Sequence, residues 1–119
     1  MPLVTFDMGP EIDVEQRDAI AAATQRAIVR SIDAPAGDLF QKIHQHSAGE
    51  LKADPNWGGV DRESVLFIDI LMVRSMYNDD QIRGMCEAIA EALVAVGVRQ
   101  DDIFISIHAN GGSDWYAGA

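Results

Sequence analysis

Val65-Leu66-Phe67-Ile68-Asp69-Ile70-Leu71-Met72-Val73 is the most apolar run of the chain and is rich in β-branched residues. Apolar side chains at odd and even positions alike predict a strand buried on both faces. The residues after it set its context. Asn78-Asp79-Asp80-Gln81 has the spacing of a capping box, with Asn78 as N-cap and Gln81 at the third helical position. Ile82, Met85, Ile89, Leu93 and Val96 then recur at helical spacing as far as Gly97, which is suited to a left-handed helix cap. Asp101 to His108 supplies a further strand, with Ile103, Ile105 and Ile107 on one face.

The same order occurs upstream. Leu3 to Phe6 read as a strand, and Asp13-Val14-Glu15-Gln16 repeats the capping signature 65 residues before Asn78. In the helix that follows, Ile20, Thr24, Ile28 and Ile32 recur every four residues, and Val14, Ala23 and Ala27 widen the stripe. Glu15, Arg17, Asp18, Arg26 and Arg30 are mostly left for solvent. Asp33-Ala34-Pro35-Ala36-Gly37 ends the helix, and Asp38 to His46 reads as a strand with Leu39 and Ile43 on one face and Phe40, His44 and His46 on the other. Ser47 to Glu63, with Gly49, Pro55, Gly58, Gly59 and an isolated Trp57, is the one long irregular segment. Loops of that length inside a compact domain often carry function.

The expected architecture is therefore α/β, one domain over 1-119 built of two βαβ units that form a four-stranded sheet. Right-handed crossovers put both helices on one face of it. Nothing in the chain covers the other face, although the strand from Val65 to Val73 is apolar there too, so an oligomer is expected.

Composition narrows the function. At 119 residues the chain is long enough for a core without staples, and 48% of it is hydrophobic. No apolar run is long enough to cross a bilayer and no charged-then-apolar leader is visible, which predicts a soluble, cytoplasmic protein. A formal charge of −10, with nine Lys and Arg scattered along the chain, argues against nucleic acid and anionic membrane as partners. An anionic substrate would need a locally placed cation. The lone Cys86 falls in a helix and reads as a packed small residue rather than a nucleophile.

Chemistry-bearing residues sit near the strand ends. Removal of Met1 would leave Pro2 with a secondary amine, held by its ring and by the strand that follows. A free α-amino group titrates near pH ~8, and apolar burial lowers that value towards neutrality. Arg74 closes the most apolar strand, and its fork suits a carboxylate. Asp38 could orient a proton or a water across a substrate from Pro2. Asp69, inside an apolar strand, must be paired or exposed and reads as structural. His44, His46 and His108 invite a metal reading, but no Asp or Cys stands at a telling spacing, so none is expected. Asn110-Gly111-Gly112 opens no helix and reads as a plain turn.

With these residues in hand the chain resembles the tautomerase superfamily, and within it the malonate semialdehyde decarboxylase group. The resemblance is carried by Pro2-Leu3 with Phe6-Asp7, Asp38 with Gln41, Gln45-His46 with Gly49-Glu50, Arg74, and Asp114-Trp115, in order along nearly the whole chain. It implies an N-terminal proline as the working acid or base, a homotrimer with sites at subunit contacts, and a chemistry without cofactor. It further implies an aspartate and two arginines one residue apart as the functional set. Pro2, Asp38 and Arg74 match, but Met76 stands where the second arginine would be. Trp115 matches an aromatic of the pocket wall, and with Tyr116 it could equally be a docked C-terminal anchor.

The expected function is proton transfer on a small oxo acid, keto to enol, with Pro2 as base and Arg74, Trp115 and Tyr116 holding the substrate. A protonated Pro2 would instead polarise a carbonyl or a conjugated acid, giving decarboxylation or hydration. A reading of another class is a non-catalytic ferredoxin-like module that binds a small molecule.

Overall fold

The computed structural model describes residues 2–118. Met1, whose removal is expected above, lies outside the described residues. The order is β1 (Leu3–Met8), α1 (Val14–Ile32), β2 (Gln41–Gln45), β3 (Leu66–Met72), α2 (Asp79–Ala95) and β4 (Ile103–Ala109), with single 3-10 turns at Arg74–Met76, Gln100–Asp102 and Gly112–Asp114. The strands lie in the order β2-β1-β3-β4. β1 runs parallel to β2 and β3 parallel to β4, so each half is a βαβ unit, and the halves meet antiparallel between β1 and β3.

Alternation along the inner strands explains the layering. Val4, Phe6 and Met8 of β1 and Leu66, Ile68, Ile70 and Met72 of β3 are buried in one core with Ile20, Ala23, Ala27 and Ile28 of α1 and Met85, Ile89 and Leu93 of α2. Each large side chain so buried contributes about 1.5–3 kcal/mol relative to leaving it exposed. Both helices thus share one face of the sheet. The other face is open within one chain, as expected with both helices on the same side of the sheet. Phe67, Asp69 and Leu71 of β3 are only half-buried, as are Leu3, Thr5 and Asp7 of β1.

Local sequence sets the helix boundaries. At Asn78 the box is complete: the Gln81 N–H donates to Asn78 Oδ1 at 2.8 Å, and the Asn78 N–H donates to Gln81 Oε1 at 2.9 Å. At Asp13 only half of it forms, with the Gln16 N–H donating to Asp13 Oδ1 at 2.7 Å. Val14, expected to widen the buried stripe, is 61% exposed, because it occupies the first helical position ahead of the contact with the sheet. α1 ends on Asp33 in the left-handed region at φ 54°, which Asp tolerates better than most side chains, and α2 is followed by Gly97 at φ 96°.

The second strand is shorter than expected. The Asp38 N–H closes a turn onto the Pro35 carbonyl, and the ladder begins where the Val4 N–H donates to the Phe40 carbonyl at 3.0 Å. Asp38, Leu39 and Phe40 therefore precede β2.

Candidate active site

Strand direction gathers the candidate residues. Leu3 pairs with Leu71, and Val4 with both Ile70 and Gln41, so the start of β1, the start of β2 and the end of β3 lie at one end of the sheet. β4 also ends there, since Met72 pairs with Ala109 and the Asn110 N–H donates to the Met72 carbonyl. That end receives Pro2, Asp38, Arg74 and the tail carrying Trp115. Pro2 is buried and Asp38 half-buried. The Asp38 carbonyl accepts from Gln25 Nε2 of α1 at 3.2 Å, which ties the segment before β2 to the helix layer.

Arg74 opens the 3-10 turn Arg74–Met76, and its guanidinium folds towards the start of α2. Nη1 donates to the Tyr77 carbonyl at 3.4 Å, and Nη2 to Asp79 Oδ1 at 2.5 Å. Met76, at the position where the resemblance implies a second arginine, is an apolar side chain 68% exposed. Trp115 is half-buried, its Nε1 donating to Asn110 Oδ1 at 3.2 Å, whereas Tyr116 is 87% exposed. Within one chain Trp115 is the docked residue of the pair. The turn before it is closed by Asp114, whose Oδ2 accepts from the Gly111 N–H at 2.7 Å.

The loop 47–63 lies at the far end of the sheet, where β1 ends and β3 begins. It borders a cavity of about 540 Å³ that is lined by residues such as Pro10, Lys52 and Arg62 and by none of Pro2, Asp38, Arg74 or Trp115. Loop and candidate site could therefore meet only through another copy of the chain. Arg62 braces the loop by donating to the carbonyls of Asp54 and Trp57, and its guanidinium lies 5.3 Å from the Phe104 ring centre. Trp57 packs against Phe104 at 5.9 Å between ring centres and Phe67 meets Phe104 edge-on at 5.5 Å, so the isolated tryptophan belongs to an aromatic cluster. Buried Asp102 anchors the loop's end, accepting from the N–H groups of Glu63 and Ser64. Proximity along the chain gives no hint of these contacts, which span 38 residues or more.

The histidines find carboxylates that their spacing did not disclose. Asp7, opposite His44 in the β1–β2 register, has its Oδ1 2.7 Å from His46 Nε2 and 3.5 Å from His44 Nδ1. Asp69 lies 3.2 Å from His108 Nε2 and is about half exposed, so it is paired as its apolar strand requires. Among the described residues no group of three His, Cys, Asp or Glu side chains has the arrangement of a metal site. No described helix is long and apolar enough to cross a membrane. Cys86 is partly buried in α2, and burial raises its thiol pKa above the ordinary value, against a nucleophilic role.

A four-stranded mixed sheet of two βαβ units, with both helices on one face, is the tautomerase fold. The Tautomerase_2 family, described as tautomerase enzyme, matches residues 38–118, and the chain belongs to it. The FG41 malonate semialdehyde decarboxylase inhibited by 3-bromopropiolate superposes with a TM-score of 0.92 at 31% identity, over 98% of this chain and 89% of that one. Another malonate semialdehyde decarboxylase, crystallised as wild type, mutant and inactivated enzyme, superposes at 0.90 with 24% identity, over 98% and 91% of the two chains. Probable tautomerase YusQ of Bacillus subtilis (strain 168) is 26% identical over 100 residues, 83% of this chain and 79% of that protein. The chain is thus an enzyme of the tautomerase superfamily, which replaces the reading as a non-catalytic module.

Proposed function

We propose that this enzyme transfers protons on a small oxo acid, with Pro2 as the N-terminal amine after loss of Met1, Asp38 facing it and Arg74 holding the substrate carboxylate. The observation that supports the reading is the meeting of four strand ends at one end of the sheet, the end towards which Pro2, Asp38, Arg74 and Trp115 lie from four separate parts of the sequence. An amine left buried at Pro2 by loss of Met1 would favour its neutral form and hence base chemistry, keto to enol. Arg74 supplies a planar fork in a protein of charge −10, and Trp115 a half-buried aromatic wall, with Tyr116 available from the same tail.

A second reading, decarboxylation or hydration of a 3-oxo or unsaturated acid, draws on the 31% identity to the FG41 decarboxylase. The mutant form of the other decarboxylase replaces a first-residue proline by alanine, which in that protein directs attention to the same position. Met76, where the resemblance implies a second arginine, weighs towards the tautomerase.

The apolar side chains left half-covered on the open face support a homotrimer, in which the loop 47–63 of one subunit could border the site of the next. The lone cysteine and the acidic surface suit the cytoplasm. The deciding experiment offers the untagged protein an enol-pyruvate and a 3-oxo acid. Ketonisation of the first faster than in buffer supports the tautomerase, loss of carbon dioxide from the second supports the alternative, and inertness towards both overturns the oxo-acid assignment.

A further inference from the structure

Arg74 already has a carboxylate on it. Nη2 donates to Asp79 Oδ1 at 2.5 Å, and Nη1 is turned towards the Tyr77 carbonyl at 3.4 Å, so both terminal nitrogens of the fork face the start of α2. The two ends of this pair are held very differently. The Arg74 side chain is 33% exposed, whereas that of Asp79 is 94% exposed. Asp79 is the first residue of α2, where the helix dipole favours a negative charge whether or not an arginine is near. The next cation on its face of the helix, Arg83, is engaged four residues on by Glu87 at 2.9 Å. Arg74 is therefore the cation that Asp79 meets.

From this geometry we propose that Asp79 sets the affinity and selectivity of the site for acids, as an internal carboxylate that competes with the substrate for Arg74. The inference rests on the reading of Arg74 as the carboxylate holder. A substrate that takes the fork end-on, through Nη1 and Nη2, meets the edge that Tyr77 and Asp79 occupy, and in any mode two anions on one guanidinium repel each other. Binding of an acid is therefore opposed by Asp79 until its carboxylate swings into water, which a side chain 94% exposed does without unpacking anything. An ester, which brings no charge to the fork, leaves the pair in place. Asp79 acts through Arg74 and touches no reacting atom, so it is a positioning residue, and its effect is on binding rather than on the chemical step.

The test reads Arg74 directly and needs no turnover. Phenylglyoxal modification of Arg74, followed by peptide mass, is compared in the wild type, Asp79→Asn and Asp80→Asn, with pyruvate and methyl pyruvate as protecting probes. Asp80→Asn removes the same charge from the same helical turn without touching the pair. For Asp79→Asn the expected results are modification of Arg74 about two- to fivefold faster and half-protection at two- to fivefold less pyruvate, the range of an exposed ion pair. Asp80→Asn should behave as wild type, and methyl pyruvate should protect no form. Equal behaviour of Asp79→Asn and wild type overturns the inference, as does an equal change in Asp80→Asn, which would be a general charge effect. Failure of pyruvate to protect Arg74 in any form overturns the reading of Arg74 itself, and the inference with it. A protein that shows the expected protection but turns over no oxo acid would keep Asp79 in this role and remove only the proposed reaction.

Discussion

The Asn110 N–H donates to the Met72 carbonyl at 3.0 Å, one residue beyond the last rung of the β3–β4 ladder. This bond carries the C-terminal tail to the edge where β3 releases Arg74, and Asn110 then accepts from Trp115 through its side chain. The start of the tail is thereby fixed at the end of the sheet from which β3 leads into Arg74. The proposed roles of Arg74 and Asp38 give them separable kinetic signatures.

Arg74→Ala should raise KM for acids by roughly 10- to 100-fold, the size of a hydrogen bond to a charged group worth about 1.5–3 kcal/mol. For a methyl ester it should change little. Asp38→Asn should leave KM nearly unchanged and lower kcat by about 10²- to 10⁴-fold, as expected when a proton-transfer partner is lost. Steady-state kinetics on acid and ester check both. An Arg74→Ala enzyme with unaltered kinetics on acids removes it from the site.

The open sheet face gives the second prediction. Phe67 and Leu71 project from β3 on the side away from the helices and are only half-covered within one chain. Sedimentation at micromolar concentration should report about three times the 13.0 kDa chain mass. Leu71→Glu should shift that mass downwards, because a charge would be desolvated in the contact. A soluble wild-type monomer would contradict the trimer.

The two helix starts should differ in what they tolerate. At Asn78 the cap and Gln81 bond each other reciprocally, whereas at Asp13 only the bond from the Gln16 N–H is present. Asn78→Ala and Asp13→Ala should each cost about 0.5–2 kcal/mol in urea unfolding. Gln81→Ala should also be destabilising, while Gln16→Ala should be close to neutral. Equal losses for the two glutamines would mean that the boxes are equivalent after all.

How much could be read from the chain alone follows from the range of the forces involved. Periodicity and capping act within a few residues, so Ile20, Thr24 and Ile28, Asn78 with Gln81, and the alternating isoleucines of β4 announced their elements. The apolar run from Val65 to Val73 disclosed its strand, and the direction of the crossovers disclosed that one face stays open within a single chain. Asp38 was misplaced into β2 because the Pro35 to Asp38 turn competes with the ladder for its N–H. Asp7 as the partner of His46, and Asp102 as the anchor of the loop, are contacts across 38 residues or more that no local pattern encodes. The position of loop 47–63, at the far end from Pro2, was equally invisible, since it depends on strand direction rather than on the loop's composition. Pro2 and Arg74 stand out by their own chemistry and Trp115 through the resemblance, while Asp79 reads only as part of a helix start.

The last prediction uses the protonation state of Pro2 to choose between the two reactions. With Met76 in place of a second arginine, less positive charge surrounds the site, which by itself favours a protonated amine. The Asp79 carboxylate on Arg74 offsets part of that cation as well and acts in the same direction. Against both stands the burial expected of a Pro2 amine at the start of β1, a strand flanked by β2 and β3. Removing an ammonium from water can move its pKa by up to about 3 units or more, whereas exposed charges at the rim are screened. Burial should therefore win, leaving the Pro2 amine below the ordinary α-amino value and neutral for part of the physiological range. A group that works as the neutral base gives activity that rises with pH through its pKa and then levels off. NMR titration of nitrogen-labelled proline, on protein whose intact mass verifies the loss of Met1, measures this without a substrate. An N-terminal tag should abolish turnover and a C-terminal tag should not, because an amide nitrogen can neither accept nor donate the proton. A Pro2 that stays protonated above the free α-amino range would reverse the order of the two reactions. The acid-assisted decarboxylase or hydratase would then be the better description, and activity should fall as pH rises.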